Sequence, residues 1–325
     1  MNCIKLRLLP AAAALAISFC TAGASAADWE PIKPIKIVIG FAPGGSNDII
    51  ARLISPKLGE LLGQQVVVDN RPGAGGAIAI NAVLSAPADG YTYSMCTTGS
   101  LSIQPHLGGM TFNPDNLVPV TLIANAPYVL QVHSSLPVHN VQELIAYTKQ
   151  NPGKINYASS GNATGGHLAG EMFKMLTGAD IVHVAYKGTS QAVTDLIGGQ
   201  VQMIFDQPVS TMQYARTGQL RPLGVAAAKR LPAFKDLPTI AEAGVPNFDP
   251  VTWTGICAAK NTPPAAIARM QKEIAKVLAM PEISTKLVQD GIEPVGSTPE
   301  QFKDFLVADK AKWGRVLKSA NVTGN

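Results

Sequence analysis

The chain reads I-K-I-V-I-G-F-A-P-G-G-S-N-D-I-I-A-R-L from Ile35 to Leu53. This stretch predicts a short β-branched strand, a glycine-rich turn and then a helix. We expect Ser46, Asn47 or Asp48 to cap that helix. A helix start carries unpaired backbone N–H groups and a partial positive charge, and glycines let a ligand approach the backbone closely. The stretch therefore predicts a seat for a carboxylate or a phosphate, although any strand-turn-helix unit of an α/β protein shares this pattern.

The first 26 residues have the three parts of a secretory signal peptide. Lys5 and Arg7 give a positive start, and residues 8–19 form an apolar segment. Ala24-Ser25-Ala26 is a small-residue cleavage site. We expect the mature chain to begin at Ala27 and to be exported to the periplasm. No later stretch of the sequence approaches the ~18 consecutive apolar residues that a membrane-spanning helix needs.

Composition and charge argue against several classes of protein. The formal net charge is +4, and it falls to +2 when Lys5 and Arg7 leave with the signal peptide, which holds no acidic residue. So small a charge, without a basic stripe, argues against nucleic acid as a partner. The remaining cysteines, Cys96 and Cys257, are compatible with a disulfide or with two packed thiols. The cysteine and histidine spacing predicts no metal site, and we expect no cofactor.

Strand-like and helix-like segments alternate along the mature chain. Strands are predicted at residues 35–39, 65–69 and 91–97, and each is followed by a polar or glycine-rich turn. This repetition predicts a parallel sheet whose turns lie together at the edge where the strands end. A second block of the same plan includes a strand at 155–159 and a helix at 189–197.

Two long extended segments, residues 118–133 and 251–259, separate the blocks. A mature chain of about 300 residues also exceeds the comfortable size of one hydrophobic core. We therefore predict an α/β protein of two lobes joined by two crossing segments, with a hinge and a ligand cleft between the lobes. Lobe 1 is predicted at residues 27–126 and 251–325, and lobe 2 at residues 127–250.

A second glycine-rich loop follows the strand predicted at 155–159. It reads S-S-G-N-A-T-G-G from Ser159 to Gly166. Its glycines free the backbone, its serine, asparagine and threonine side chains offer neutral donors, and a helix follows directly. In a two-lobed protein this loop and the first one would face each other across the cleft. A ligand with anionic ends would then bridge the lobes.

Several motifs of the chain resemble those of one protein family. In chain order they are F-A-P-G-G-S-N-D, N-R-P-G-A-G-G, A-P-A-D-G-Y-T, N-Y-A-S-S-G-N-A-T-G-G-H-L-A-G-E-M-F, I-V-H-V-A-Y-K-G, L-I-G-G-Q-V and L-P-T-I-A-E-A-G. From about Pro34 to Trp313 the chain resembles the Bug family of periplasmic solute-binding proteins, the receptors of tripartite tricarboxylate transporters. The resemblance implies a type II periplasmic binding protein fold. It also implies a receptor, not an enzyme, that closes on a small mono- or dicarboxylate, aromatic ones such as terephthalate included, and delivers it to the transporter's membrane subunits.

The resemblance places the first ligand loop at Phe41 to Asp48 and the second at Ser159 to Thr164. It also makes His167 the cap of the helix that follows the second loop. Ala163 stands where relatives usually have glycine. Backbone amides and ordered water do much of the ligand binding in this family, so side-chain identity predicts the ligand poorly.

Other candidate contacts come from the residues themselves, and each has an alternative. Asp206, at the end of a predicted strand, could receive an amine or a water in the cleft, or it could cap the next turn. Tyr186 is a ligand contact or a surface residue of its lobe. The predicted ligand-binding residues are Phe41, Pro43, Gly44, Gly45, Ser46, Asn47, Asp48, Thr98, Ser100, Ser159, Ser160, Asn162, Ala163, Thr164, His167, Tyr186 and Asp206.

Two other functional classes fit parts of the sequence. An exported hydrolase is one, since Ser, His and Asp are all present, but the sequence lacks the G-x-S-x-G, S-x-x-K and H-E-x-x-H motifs. The other is a receptor that presents its ligand to a membrane sensor kinase. Neighbouring genes for two transporter membrane subunits, or for a sensor kinase, would separate that class from a transport receptor. We expect a monomer.

Overall fold

The computed structural model describes residues 29–248 and 250–319. The predicted signal peptide, its two cysteines and the expected first mature residue, Ala27, lie outside the described residues. Within the described ranges, no helix is both long enough and apolar enough to span a membrane.

The described residues form two β-sheets flanked by helices. The strands are β1 (Ile35–Ile39), β2 (Val66–Asn70), β3 (Thr92–Thr97), β4 (Leu117–Ala126), β5 (Tyr128–His133), β6 (Ile155–Ser159), β7 (Ile181–Ala185), β8 (Met203–Asp206), β9 (Leu220–Ala226), β10 (Thr252–Ala259) and β11 (Glu293–Pro294). The α-helices are α1 (Ser46–Leu62), α2 (Ala77–Leu84), α3 (Gln104–Leu107), α4 (Val141–Gln150), α5 (Gly165–Thr177), α6 (Thr189–Ile197), α7 (Pro208–Arg216), α8 (Pro264–Ala279), α9 (Pro281–Gln289) and α10 (Pro299–Ser319). A short π-type helix, Gly99–Ile103, follows β3.

The first sheet has the order β11-β4-β10-β3-β1-β2 and forms lobe 1 with its helices. Strands β1, β2 and β3 run parallel, whereas β10 runs antiparallel to β3 and β4. The three isoleucines of β1 are buried in the same core as Ile54 of α1 and Ile274 of α8. Val38 points to the other face of the sheet and packs against α2. Burial of this apolar surface is the main source of the lobe's stability.

The second sheet has the order β7-β6-β8-β5-β9 and forms lobe 2 with its helices. Strand β6 runs parallel to β7 and β8, and β5 runs antiparallel to β8 and β9. Three phenylalanine rings of the core of lobe 2, those of Phe173, Phe205 and Phe248, have centroids 5.6–6.1 Å apart. Aromatic pairs at this spacing add to the stability gained from burial.

The parallel arrangement predicted from the first three strands is present in β1, β2 and β3, and the hinge explains why each sheet also contains antiparallel strands. Strands β3, β6 and β8 end at the edge that faces the other lobe, whereas β5 and β10 enter their lobes at that edge. A strand that begins where its neighbours end must run antiparallel to them. Each lobe therefore contains one crossing strand that opposes the parallel set.

The two crossings lie side by side. Pro127 separates β4 from β5, and β10 begins at Thr252 on the return. Thr252 pairs in register with Ala126, and its hydroxyl donates a hydrogen bond to the Ala126 carbonyl oxygen. This pairing places both crossings at one hinge. The predicted boundary residues of the lobes stay a prediction.

Cys96 and Cys257 are buried free thiols on the neighbouring strands β3 and β10. Burial, together with the nearby Cys96 thiol, raises the pKa of Cys257 well above its usual value. Of the two alternatives that the sequence left open, the structure shows packed thiols.

Helix α5 packs closely on the second sheet at Gly170. A Cβ atom added at Gly170 would overlap the ring of Tyr157, whose hydroxyl donates to Glu171 at 2.6 Å. Alanine gains about 1 kcal/mol over glycine from helix propensity, but overpacking a filled core costs about 1–3 kcal/mol. We predict that Gly170→Ala lowers the free energy of unfolding in urea denaturation. Equal or greater stability of the variant would contradict this packing.

Candidate functional site: a cleft walled by helix starts

A small cavity of about 40 Å³ lies between the lobes, next to the hinge. We call it the inner cavity. Its wall contains residues from both loops that the sequence singled out, from the ends of β3 and β8, and from the starts of β5 and β10. These residues are Phe41, Gly45, Ser46, Asn47, Thr97, Thr98, Gly99, Tyr128, Ser160, Thr164, Gly165, Thr189, Asp206, Gln207, Thr252 and Trp253.

Five helices begin at this wall. Lobe 1 contributes α1 and the short helix Gly99–Ile103, and lobe 2 contributes α5, α6 and α7. The first turn of a helix leaves backbone N–H groups without intrahelical partners, and the helix dipole makes this end positive. Among the described residues of the wall there is no lysine or arginine. Backbone dipoles therefore supply the positive potential of the inner cavity.

Two side chains add hydrogen-bond donors at this wall. The side-chain oxygen of Asn47 accepts from the Thr254 hydroxyl at 2.5 Å, which leaves the Asn47 amide N–H₂ available. The Thr98 hydroxyl oxygen accepts from the backbone N–H of Trp253 at 2.9 Å, which leaves its own proton available. Both donors are neutral, so they can bind an anion without the desolvation cost of a buried charge.

Asp206 is the one carboxylic acid in the described wall of the inner cavity. It accepts from the Thr189 hydroxyl at 3.1 Å and from the Ser210 hydroxyl. Burial raises the pKa of Asp206 to about 6, although these bonds and the backbone N–H of Gln207 act in the opposite direction. Asp206 thus lines the cavity and also ties the start of α7. An amine or a water bound to Asp206 stays a prediction.

Hydrogen bonds join the lobes beside the inner cavity. The Ser46 hydroxyl at the start of α1 donates to the Ser210 hydroxyl of lobe 2 at 3.1 Å. The backbone N–H of Ala42 donates to the carbonyl oxygen of Lys187 at 3.3 Å. An apolar cluster that includes Leu168 of lobe 2 and Trp313 of α10 also spans the lobes. The lobes are thus in a closed arrangement.

A second, larger cavity of about 670 Å³ also lies between the lobes. We call it the outer chamber. Phe41 and Ser160 line both cavities. Lobe 1 supplies part of the outer wall through residues 73–75, 77, 104 and 107–111. Lobe 2 supplies another part through residues 160–163, 167, 183 and 185–187.

The structure brings about half of the predicted contacts to the inner cavity. They are Phe41, Gly45, Ser46, Asn47, Thr98, Ser160, Thr164 and Asp206. Asn162, Ala163, His167 and Tyr186 line the outer chamber instead. The described walls of the two cavities do not include Pro43, Gly44, Asp48, Ser100 or Ser159.

Asp48 supports the first loop and is not part of either described cavity wall. The prediction that Ser46, Asn47 or Asp48 caps α1 was wrong. The residue before the helix is Gly45, which makes no side-chain cap. The buried Asp48 carboxylate instead accepts from the backbone N–H of Gly44 and from Arg52, both at 2.9 Å, and from Asn70 at 3.0 Å. Burial raises the Asp48 pKa, but these donors outweigh it and hold the pKa below its usual value. Asp48 therefore fixes the first loop from behind.

The second loop is held by similar local bonds. The Thr164 hydroxyl donates to the Gly161 carbonyl oxygen at 2.7 Å. His167 lies inside α5, whose N-cap residue is Thr164, so it is not the helix cap that the resemblance implied. Its Nδ1 instead accepts from the backbone N–H of Ala163 at 3.1 Å. Ala163 has a φ of 57°, in the left-handed region. This conformation favours glycine over alanine, so Ala163 is held in a strained backbone conformation.

Sequence reasoning missed several wall residues of the inner cavity. They are Thr97, Gly99, Tyr128, Gly165, Thr189, Gln207, Thr252 and Trp253. Thr189 and Gln207 sit at the starts of α6 and α7, and the signal for α7 was Pro208 at its first position. Tyr128 and Thr252 begin the crossing strands, so only the relative position of the lobes brings them to the site.

Two lobes, a paired hinge and a cleft walled by helix starts define a two-lobed solute-binding protein. The family of tripartite tricarboxylate transporter receptors matches residues 50–322, and the chain belongs to this family. The chain is 34% identical to protein BugT of Bordetella pertussis over 314 residues, which cover 94% of this chain and 96% of BugT. The resemblance to the Bug family is thereby confirmed.

Solved structures confirm the fold. The R. palustris protein Rpa4515 with adipate has a TM-score of 0.88 and 36% identity, covering 91% of this chain and 99% of its own. MatC (Rpa3494) from Rhodopseudomonas palustris with bound malate has a TM-score of 0.84 and 28% identity, covering 88% and 99%. The predicted type II periplasmic binding protein fold, with two lobes around a cleft, is confirmed.

The raised pKa of Asp206 makes stability depend on pH. The folded protein holds this proton more tightly than the unfolded chain, so the stabilising contribution is full below pH ~4 and is lost as the pH rises through about 6. A difference of about two pKa units corresponds to about 3 kcal/mol. We predict that Asp206→Asn, which cannot titrate, gains about 2–3 kcal/mol relative to the native protein between pH 4 and pH 7.

Urea denaturation at several pH values measures this difference. Asp115→Asn, which changes an exposed carboxylate, is the matched control. A free-energy difference between Asp206→Asn and the native protein that stays constant across this range would contradict the assigned burial of Asp206.

Proposed function

We propose that this protein captures a small carboxylate between its lobes and delivers it to the membrane subunits of a tripartite tricarboxylate transporter. The convergence of five helix starts on a cavity without lysine or arginine in its described wall carries this proposal. Helix starts bind anions through backbone N–H groups. The ligand class comprises mono- and dicarboxylates, aromatic ones included.

The related structures support this ligand class. One holds adipate and another holds malate, both of which are small dicarboxylates. The family is that of transporter receptors, which supports the transporter as the partner. The signal-peptide pattern of the first 26 residues supports a periplasmic location, where such a receptor meets both its ligand and the membrane.

We also propose that the protein has no catalytic role. Among the described residues, two serine hydroxyls lie 2.6 Å from a histidine nitrogen: Ser135 with His133, and Ser159 with His183. The second pair is the one that adjoins the cleft, since His183 lines the outer chamber. Ser159 is 1% exposed, and its hydroxyl also donates to the Gly161 carbonyl oxygen at 3.0 Å. A nucleophile must reach its substrate, and Ser159 is part of neither cavity's described wall. The pair ties β6 to β7.

Binding couples to closure because the helix starts belong to both lobes. In an open arrangement the anion would contact the helix starts of one lobe only, so it binds the closed arrangement with higher affinity. A ligand shifts a conformational equilibrium only through such a difference in affinity. A closed, loaded receptor is then the form that membrane subunits distinguish from the empty one.

Asn47→Asp tests the sign of the ligand's charge. The replacement keeps the acceptor for Thr254 but exchanges the free amide for a carboxylate oxygen at the cavity wall. Repulsion between like charges a few ångström apart then opposes binding. We predict at least a tenfold loss of affinity, ~1.4 kcal/mol, for each carboxylate that binds the native protein in calorimetry.

A thermal-shift screen of mono-, di- and tricarboxylates and acidic amino acids first identifies those ligands. A ligand at a hundred times its Kd stabilises the folded state by about 2.7 kcal/mol. Asn113→Asp, which makes the same charge change on the surface of lobe 1, is the control and should bind normally. Tighter binding by Asn47→Asp, or a cationic ligand as the best hit, would contradict the proposal.

A further inference from the structure

The inner cavity places a bound anion beside a buried acid. Asp206 is 7% exposed and lines this cavity, and the described wall has no lysine or arginine to neutralise a second negative charge. One water needs roughly 10–15 Å³ of such space, so a cavity of about 40 Å³ keeps a bound carboxylate close to Asp206. Two carboxylates that share one site do not both stay ionised, because their repulsion strongly raises one of the pKa values. One proton must therefore enter the site with the anion.

Asp206 is better suited than the ligand to hold this proton. Burial raises the pKa of Asp206 to about 6, whereas carboxylic acids in water have pKa values of about 4. A bound carboxylate also meets donors that favour its ionised form, namely the helix starts and the Asn47 amide. The proton therefore lies on Asp206, and the ligand keeps its charge.

The hydrogen bonds around Asp206 accommodate both of its forms. In the ionised form the carboxylate accepts from the hydroxyls of Thr189 and Ser210. A serine hydroxyl has one proton to donate, and the Gln207 carbonyl oxygen lies 2.9 Å from the Ser210 hydroxyl as an alternative acceptor. When Asp206 gains a proton, Ser210 can donate to Gln207 instead, and the new O–H of Asp206 can donate to the anion.

Other titratable groups around Asp206 do not replace it. The phenol of Tyr128, on β5, is the one other titratable side chain of the described wall, and burial, followed by the Asp206 charge, raises its pKa, so it stays neutral. The acidic and basic side chains of the helices that begin at the cavity lie outside that wall, and β10 has none. Those nearest the helix starts are Asp48 and Arg52 of α1, His167 and Glu171 of α5, Asp195 of α6 and Arg216 of α7.

We propose that the protein takes up one proton from solvent with each carboxylate that it binds, and that Asp206 holds this proton as a neutral acid facing the anion. The proton converts a repelling charge into a hydrogen-bond donor, and an ionised acceptor makes that bond stronger. Ser210 also accepts from Ser46 of lobe 1, so the proton binds beside a contact that joins the closed lobes. This inference rests on the proposed carboxylate receptor and adds the proton as its second ligand.

Proton uptake makes the affinity depend on pH. The complex holds the proton more tightly than the free protein does, so binding weakens as the pH rises. For a fully ionised carboxylate, Kd increases by up to about tenfold per pH unit above the pKa of the free protein, about 6. It levels off only above the higher pKa of the complex.

Calorimetry on the mature native protein counts the proton directly. Adipate and malate are the probes, together with any other carboxylate that the thermal-shift screen identifies. Each is titrated at pH ~7 in a buffer of low ionisation enthalpy, phosphate, and in one of high ionisation enthalpy, Tris. The slope of binding enthalpy against the buffer's ionisation enthalpy gives the number of protons taken up. Asp206→Asn cannot titrate, and Asp115→Asn, which changes an exposed carboxylate outside both cavities, is the matched control.

The expected count for the native protein and for Asp115→Asn is about 0.9 protons per anion, because a group with a pKa of about 6 is mostly ionised at pH ~7. Asp206→Asn should take up none, and its Kd should change by less than about twofold between pH ~6 and pH ~8, where the native Kd rises roughly tenfold or more. If melts show that Asp206→Asn does not fold, Thr189→Val replaces it. This variant removes a donor to the ionised form, so it should lower the count.

Three results would overturn the proton site. The first is carboxylate binding to the native protein without proton uptake, including binding of an amino acid whose ammonium group neutralises Asp206. The second is uptake that persists in Asp206→Asn, which would assign the proton to another group such as His167 or His183. The third is an unchanged count in Thr189→Val where that variant is used. Each leaves the carboxylate receptor standing, whereas binding of no carboxylate at all would remove the proposed function together with the proton site.

Discussion

Positive helix ends meet at the inner cavity, and its described wall offers no cationic side chain. Their backbone N–H groups are fixed by the helices themselves, so they are oriented before a ligand arrives and lose little entropy when it binds. Helix starts also cost less to bury than a lysine or arginine would, because no full charge is removed from water. The wall can therefore attract an anion without burying a cationic side chain.

The remaining architecture positions these helix ends. Parallel strands place the helix starts of each lobe at one edge, as the rule for open α/β sheets requires. The crossing strands β5 and β10 enter at the same edge and connect the lobes there. The pairing of Ala126 with Thr252 keeps the two crossings together, so the lobes can rotate about one hinge. Asp48 and the local bonds of Thr164 hold the two loops in shape on either side.

Contacts across the cleft set the balance between open and closed arrangements. The Ser46–Ser210 hydrogen bond and the cluster that joins Leu168 to Trp313 favour the closed arrangement without a ligand. The buried Asp206 carboxylate repels the negative charge of a bound anion, so it disfavours the closed arrangement with the ligand inside. A receptor needs this balance, since a ligand can control closure only when neither arrangement dominates strongly.

Local patterns made much of this structure predictable. The strand Ile35–Ile39, the strand Ile155–Ser159 and the helix Thr189–Ile197 match their predicted bounds, since apolar periodicity and glycine turns define them locally. The antiparallel course of β5 and β10 was not predictable from periodicity, because strand direction depends on where a strand enters its lobe. The same distinction applies to the site. Ser46 and Thr98 lie in segments that local sequence patterns predicted as turns. Tyr128 and Thr252 reach the site only because the hinge sets the position of the lobes.

A crystal structure of the mature protein with a bound carboxylate tests the central claim most directly. The account predicts a ligand carboxylate in the inner cavity, with its oxygens about 2.7–3.1 Å from backbone nitrogens at helix starts of both lobes, directly or through one water. A carboxylate in the inner cavity that is held mainly by a lysine or arginine side chain, or a ligand that contacts only one lobe, would contradict it.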